Sequence, residues 1–197
     1  DIYLSVVGVK PGIDFLEGGG IAIDSGIVVD EHMRTNLPGV FAAGDVAEAR
    51  ERVSGKPLVN AIQPNAVEQG RIAAANMAGG HGTFAGSLAM NVLDTLGLIS
   101  GSFGQWAGVE GGEGVEFSDE AAYKYLSLQF HGDVLVGATS IGFTEHMGAL
   151  RGLIQARIPL GEWKGRLLDD PSLFMDAYLA SVRHEHAIPG HGAMPVR

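Results

Sequence analysis

Two places in the chain combine residue types that could do chemistry. The first is Gly44-Asp45, which closes the apolar run Val40-Phe41-Ala42-Ala43. A run of that length and type predicts a buried strand, and glycine followed by a carboxylate breaks it at an edge where a ligand can approach. In open α/β sheets ligands bind beyond the carboxyl ends of strands, which makes Asp45 a candidate acceptor for a ligand hydroxyl. Gly44 lets the backbone come close, and Val46 next to Asp45 is a further candidate cofactor contact. The second place is the start of a helix predicted from Pro64 to Ala78, with proline in its first turn, many alanines and a Gly79-Gly80 stop. Unpaired N–H groups at a helix start carry roughly half a positive charge. Gln63, Pro64, Asn65 and Ala66 would present it. Taken singly, each feature also has a plain structural reading, an Asp turn and a scaffold helix.

The two are joined by a longer pattern. Thr35 to Asp45 reads Thr-x-x-x-x-Val-Phe-Ala-x-Gly-Asp, and both spacing and residue types closely resemble the second flavin-binding motif of the pyridine nucleotide-disulfide oxidoreductase family. The resemblance implies FAD as cofactor and NAD(P)H as substrate, with Asp45 accepting a hydrogen bond from a ribityl hydroxyl. It implies that the helix beginning near Pro64 aims its start, Gln63 to Ala66, at the pyrimidine side of the flavin ring, where negative charge gathers on reduction. Such stabilisation is a dipole task that needs no particular side chain. Asp1 to Pro11, with Asp, Gly and Pro at positions 1, 8 and 11, resembles the family's last NAD-domain strand returning to the FAD domain. Gly142 to Ile154 and Trp163 to Leu167 are similar to the carboxyl-terminal domain of the NADH oxidase, nitrite reductase and rubredoxin reductase branch. That domain packs mostly at the subunit interface and covers one side of the flavin, which implies a homodimer.

Composition narrows the alternatives. With 197 residues and 46% hydrophobic content the chain is long enough for one large or two small domains with a real core. A formal charge of −10 argues against nucleic acid as a partner. No apolar run reaches the roughly 18 residues of a membrane span, and no signal-peptide pattern is present, so a cytoplasmic setting is expected. Absence of cysteine removes disulfides, iron–sulfur ligation and a redox dithiol. Electron chemistry would then need a bound organic cofactor, and the negative charge fits a weakly basic electron-transfer partner, a redox protein, or a neutral small molecule better.

Stepping along the chain, Ile2 to Val9 reads as a buried strand, residues 13–23 as a connector and Gly26 to Asp30 as a short strand. Ala47 to Val59, with Glu48, Arg50, Glu51 and Arg52 among small residues, reads as a surface loop. Gly70 inside the predicted helix costs about 1 kcal/mol against alanine and implies a packing reason. Beyond His81 the pattern changes. Ser87 to Leu98 and Ile99 to Phe103 are strand-like, Gly108 to Gly114 is a loop, and Tyr123 to Phe130 with Val134 to Ile141 form a hairpin about His131-Gly132-Asp133. Thr144 caps a helix to about Ala156, and Asp170-Pro171 begins a final helix to about Arg183. The expected fold class is an α/β flavin-binding segment, a partial Rossmann-like FAD domain, followed by a small α+β interface domain. Its divisions are 1–11 (end of an NAD-binding domain), 12–80 (FAD segment), 81–183 (interface domain) and 184–197 (tail).

A dinucleotide cradle needs Gly-x-Gly-x-x-Gly between strand and helix. The Gly-x-Gly pairs starting at Gly18, Gly80, Gly112 and Gly190 meet Ile23, Ala85, Phe117 and Pro195 at the third position, and the Gly80 case follows a helix rather than a strand. This, with a first residue that is not methionine, suggests a fragment whose amino-terminal FAD and NAD segments are missing. His184, His186 and His191 read as tail residues rather than metal ligands. Three functions stay open: part of an FAD-dependent oxidoreductase, a non-catalytic dimerisation module, and the NADH-oxidising subunit of a larger electron-transfer assembly.

Overall fold

The computed structural model describes residues 2–3 and 8–187 and divides into two compact units, Asp1–Ala89 and Met90–Arg197. Residues 81–89, expected to open the second unit, pack with the first. Ser87 is the reason: its N–H donates to the Arg50 carbonyl and its own carbonyl accepts from the Arg52 N–H, each at 2.8 Å. The Ile2 to Val9 strand falls largely outside the described residues.

The first unit holds a three-stranded sheet of β1 (Ile27–Val28), β2 (Ala47–Arg50) and β3 (Pro57–Val59), with β1 parallel and β3 antiparallel to β2. The segment read as a surface loop is therefore a hairpin, and β2 is buried along three of its four residues. The charges misled because Glu48 and Glu51, 3% and 0% exposed, are turned inward. Each carboxylate accepts backbone N–H groups: Glu48 from Ser25 and Gly26 at 2.8 and 3.0 Å, Glu51 from Val53 and Ser54 at 3.0 and 2.6 Å. Burial of an ionisable group is tolerable when its lone pairs are taken up in this way.

Helix α1 (Gln63–Met77) lies where it was expected. Its buried positions are Asn65, Gln69, Ala73 and Asn76, a single face that is mainly amide rather than aliphatic. Gly70 has no close neighbour: a methyl group there would meet open space, so the packing reason expected for it is absent among the described residues.

The second unit is an antiparallel sheet in the order β4-β5-β8-β7-β6, formed by β4 (Met90–Thr95), β5 (Leu98–Gly104), β6 (Glu113–Asp119), β7 (Lys124–His131) and β8 (Val134–Ile141). The β7–β8 hairpin turns at His131 to Asp133 as expected, whereas β6 begins inside the Gly108 to Gly114 stretch taken as a loop. Leu126, Leu128, Phe130, Leu135, Leu150, Leu153, Ile154 and Leu167 make its core, the last four from α2 (Met147–Ala156) and α3 (Glu162–Asp169). The cap of α2 is His146 in the left-handed region at φ 69°, with no side-chain bond, so Thr144 does not cap it. Asp170 caps a short 3-10 turn, Pro171–Leu173, by accepting from the Ser172 N–H, and α4 (Phe174–Ala187) follows. The helix runs past Arg183 into the stretch expected as a tail. No described helix is long and apolar enough to cross a membrane.

Candidate functional site

The apolar run before Gly44-Asp45 does not form a regular strand. Phe41 makes a single antiparallel bridge to Arg34, and the neighbouring bonds, Thr35 N–H to the Val40 carbonyl and Ala42 N–H to the Met33 carbonyl, make it the arm of a local hairpin. Val40 is 37% exposed. With its pairing met on one side by a few residues, the run is half-buried instead of central. Asp45 accordingly sits in a turn that leads into β2, closed by the Ala47 N–H donating to the Gly44 carbonyl at 2.9 Å. Gly44 takes φ 84°, a left-handed value that glycine adopts without a Cβ penalty.

The turn and the helix start meet. The Gly44 N–H donates to the Gln69 side-chain carbonyl at 2.8 Å, and a Cβ on Gly44 would lie 3.6 Å from the Ala66 methyl. Asp45 itself is exposed. The helix begins after Ile62 in extended backbone, with no side-chain cap and with Pro64 in its first turn. Of the first helix N–H groups, that of Ala66 donates to the Ile62 carbonyl at 3.1 Å, Pro64 has none, and the cap side chain takes none of the others.

The remaining expected site residues divide. Gln63 is exposed, and Pro64 and Ala66 are half-buried at the helix start. Val46 is used structurally: its carbonyl accepts from the Ile27 N–H at 2.8 Å and its side chain packs on Ile13, Ile27, Ala42 and Ala47. Asn65 is 5% exposed and its amide is turned to the chain, donating to the Leu88 carbonyl at 3.3 Å and accepting the Leu88 N–H at 3.4 Å. Only its backbone could face a ligand. Sequence reasoning missed Gln69, whose position four residues after Asn65 was the available signal.

The described residues contain no group of three or more His, Asp or Glu side chains arranged to hold a metal ion. His184 and His186 fall on α4 instead of a tail, and His191 lies outside the described residues.

A glycine turn at φ 84°, an exposed carboxylate and a helix start without a side-chain cap together offer a hydroxyl acceptor and the positive end of a helix dipole. Residues 1–82 match the family model described as pyridine nucleotide-disulphide oxidoreductase, which makes that stretch of the chain a member of the family. Over 174 residues it is 36% identical to the NADH-dependent phenylglyoxylate dehydrogenase subunit epsilon of Aromatoleum evansii, covering 87% of this chain and 41% of that protein. NADH:rubredoxin oxidoreductase from Clostridium acetobutylicum is similar in structure, with 26% identity and a TM-score of 0.62 over 79% of this chain and 39% of that one. The covalent putidaredoxin reductase–putidaredoxin complex shares the fold, with a TM-score of 0.73 at 23% identity over 88% of this chain and 40% of the other. The chain therefore spans about two fifths of the length of these proteins.

Proposed function

We propose that this chain supplies the turn and helix that contact the flavin in an FAD-dependent NAD(P)H oxidoreductase, together with an interface domain. The observation that supports this best is the junction of Gly44-Asp45 with the start of α1 through the Gly44 to Gln69 bond. In this role Asp45 accepts a hydrogen bond from a ribityl hydroxyl. The start of α1 offers the ring its dipole and the backbone N–H groups of Gln63 and Asn65, since Pro64 has none and the Ala66 N–H donates to the Ile62 carbonyl; the Asn65 side chain takes no part. When bound, FAD supplies a centre that takes a hydride from NAD(P)H and passes electrons to an acceptor. Without cysteine, no residue here forms a redox disulfide. Contacts to the dinucleotide phosphates fall to residues outside this chain, in keeping with the missing glycine cradle. Residues 1–11 belong, on this reading, to the end of an NAD-binding domain, and the second unit pairs two copies.

The test is FAD titration of the full-length protein that contains this chain, followed by flavin fluorescence and visible absorption. Asp45→Ala should weaken binding roughly tenfold, the scale of one lost hydrogen bond in a desolvated site. Unchanged affinity would remove Asp45 from the site. Gel filtration of the same protein should give the mass of a dimer.

The resemblance to an enzyme subunit along 87% of the chain favours a second reading, in which the parent protein is the NADH-oxidising subunit of a larger assembly that hands electrons to a redox partner. Partners retained on gel filtration after affinity purification would support it. A protein that elutes alone from its native source would count against it.

A further inference from the structure

The buried face of α1 carries, beside Ala73, three amides, each closing on the backbone of a different segment. Asn65 holds Leu88, Gln69 holds Gly44, and Asn76 donates to the His32 and Gly82 carbonyls at 2.9 Å each while accepting the Gly82 N–H at 2.7 Å. Hydrophobic contacts would let the helix slide by a fraction of an ångström at little cost. Directional bonds at three heights along one face do not, because distance and angle are both constrained. Gln69 has a special place among them. It is 2% exposed, lies two turns from the helix start, and bonds to the N–H of the residue directly before Asp45.

We propose that Gln69 is a positioning residue for the flavin half-site: by accepting the Gly44 N–H it fixes where Asp45 stands relative to the start of α1. This rests on the flavin reading above. The physical argument is short. Gly44 at φ 84° is conformationally permissive, so without an anchor the turn has several accessible arrangements. The Gln69 carbonyl selects one of them before the cofactor arrives, and ligand affinity gains from ordering that need not be repeated on binding. Gln69 touches no part of the ligand itself. Asn76, eleven residues from Asn65 at the far end of the helix, makes equally good bonds but reaches nothing near Asp45, and it serves as the internal control.

The experiment uses the full-length protein, with FAD affinity measured by flavin fluorescence and apoprotein stability by thermal unfolding. Gln69→Met keeps the side-chain length and removes the acceptor, whereas Gln69→Glu keeps an acceptor oxygen. Asn76→Leu removes the control clasp. The expected result is a roughly tenfold loss of FAD affinity in Gln69→Met, substantial recovery in Gln69→Glu, and a change of no more than about twofold in Asn76→Leu even where it lowers the unfolding midpoint as far. Affinity that follows the unfolding midpoint across all three variants would overturn the proposal, leaving Gln69 a purely structural residue. Should Gln69→Met fail to fold, Gln69→Ser offers a shorter hydroxyl that leaves Gly44 unanchored, and wild-type affinity in that variant would also overturn it. Asp45→Ala separates the two levels: if it weakens binding and Gln69→Met does not, only the positioning role fails. If neither variant changes affinity, the flavin reading fails with it.

Discussion

At the scale of single residues, the buried carboxylates of β2 decide more than their charge suggests. Glu48 closes the turn before β1 through two backbone N–H groups, one of them on Gly26, where a Cβ would come within 2.7 Å of the Val46 carbonyl and the Val59 side chain. Replacing Glu48 with alanine strands both donors, and charge-assisted bonds of this kind imply a loss of about 3 kcal/mol, measurable by urea unfolding. Glu48→Gln, which keeps an acceptor, should lose less. Tyr125 in the second unit gives a pH signature. Burial raises its pKa above the usual value of 10.0, a hydrogen bond to Glu116 and that carboxylate's charge add to the rise, and Ser127 opposes it. A raised folded-state pKa means that the unfolded chain releases its proton first. The stability contributed by Tyr125 is therefore complete below about pH 10 and is lost as pH climbs through the higher folded value. Unfolding midpoints between neutral and strongly alkaline pH should fall more steeply for the wild type than for Tyr125→Phe.

At the scale of elements, what could be read in advance followed the strength of local signals. Proline, alanines and a Gly-Gly stop identified α1 to within a residue at either end. The β7–β8 hairpin was equally legible, since Leu126, Leu128 and Phe130 recur at every second residue up to the His131-Gly132-Asp133 turn. Ala47 to Arg50 was not legible as a strand, because two glutamates and an arginine mimic a solvated face and only the fold shows which backbone donors they meet. Gly44 and Asp45 were identified by pattern, but Gln69 was hidden inside a helix that looked like an alanine scaffold. Val40 to Ala43 failed for a topological reason: a short apolar run says that it can pair, and the number of partners is set elsewhere. Gly70 brings a prediction of its own. Since a methyl group there meets nothing within 4 Å, Gly70→Ala should stabilise the 197-residue chain by about 0.5–1 kcal/mol in denaturant unfolding, through helix propensity and a less flexible unfolded chain.

At the scale of the whole molecule, the two units are stabilised by different means. The second is supported by large side chains, Phe103, Leu126, Phe130, Leu150, Ile154 and Phe174 among them, between an antiparallel sheet and its helices. In the first, two smaller clusters, one about Ile13 and Ile27 and one about Met33 and Phe84, include Ala42, Ala47, Ala49 and Ala73, and inward-facing carboxylates and amides add bonds to the backbone. The family resemblance had suggested such a division by role, but the difference in core chemistry became visible only with the fold. The amide row on α1 has a thermal consequence. Exposing apolar surface raises heat capacity on unfolding while exposing polar surface lowers it, so Asn65, Gln69 and Asn76 reduce the heat-capacity increment that the small clusters of this unit give. Scanning calorimetry should resolve a broad step for the amino-terminal unit that adds little to the baseline and a sharper one for the β-rich unit that lifts it. The helix facing the half-site would then hold its grip on cooling, where oily cores slacken.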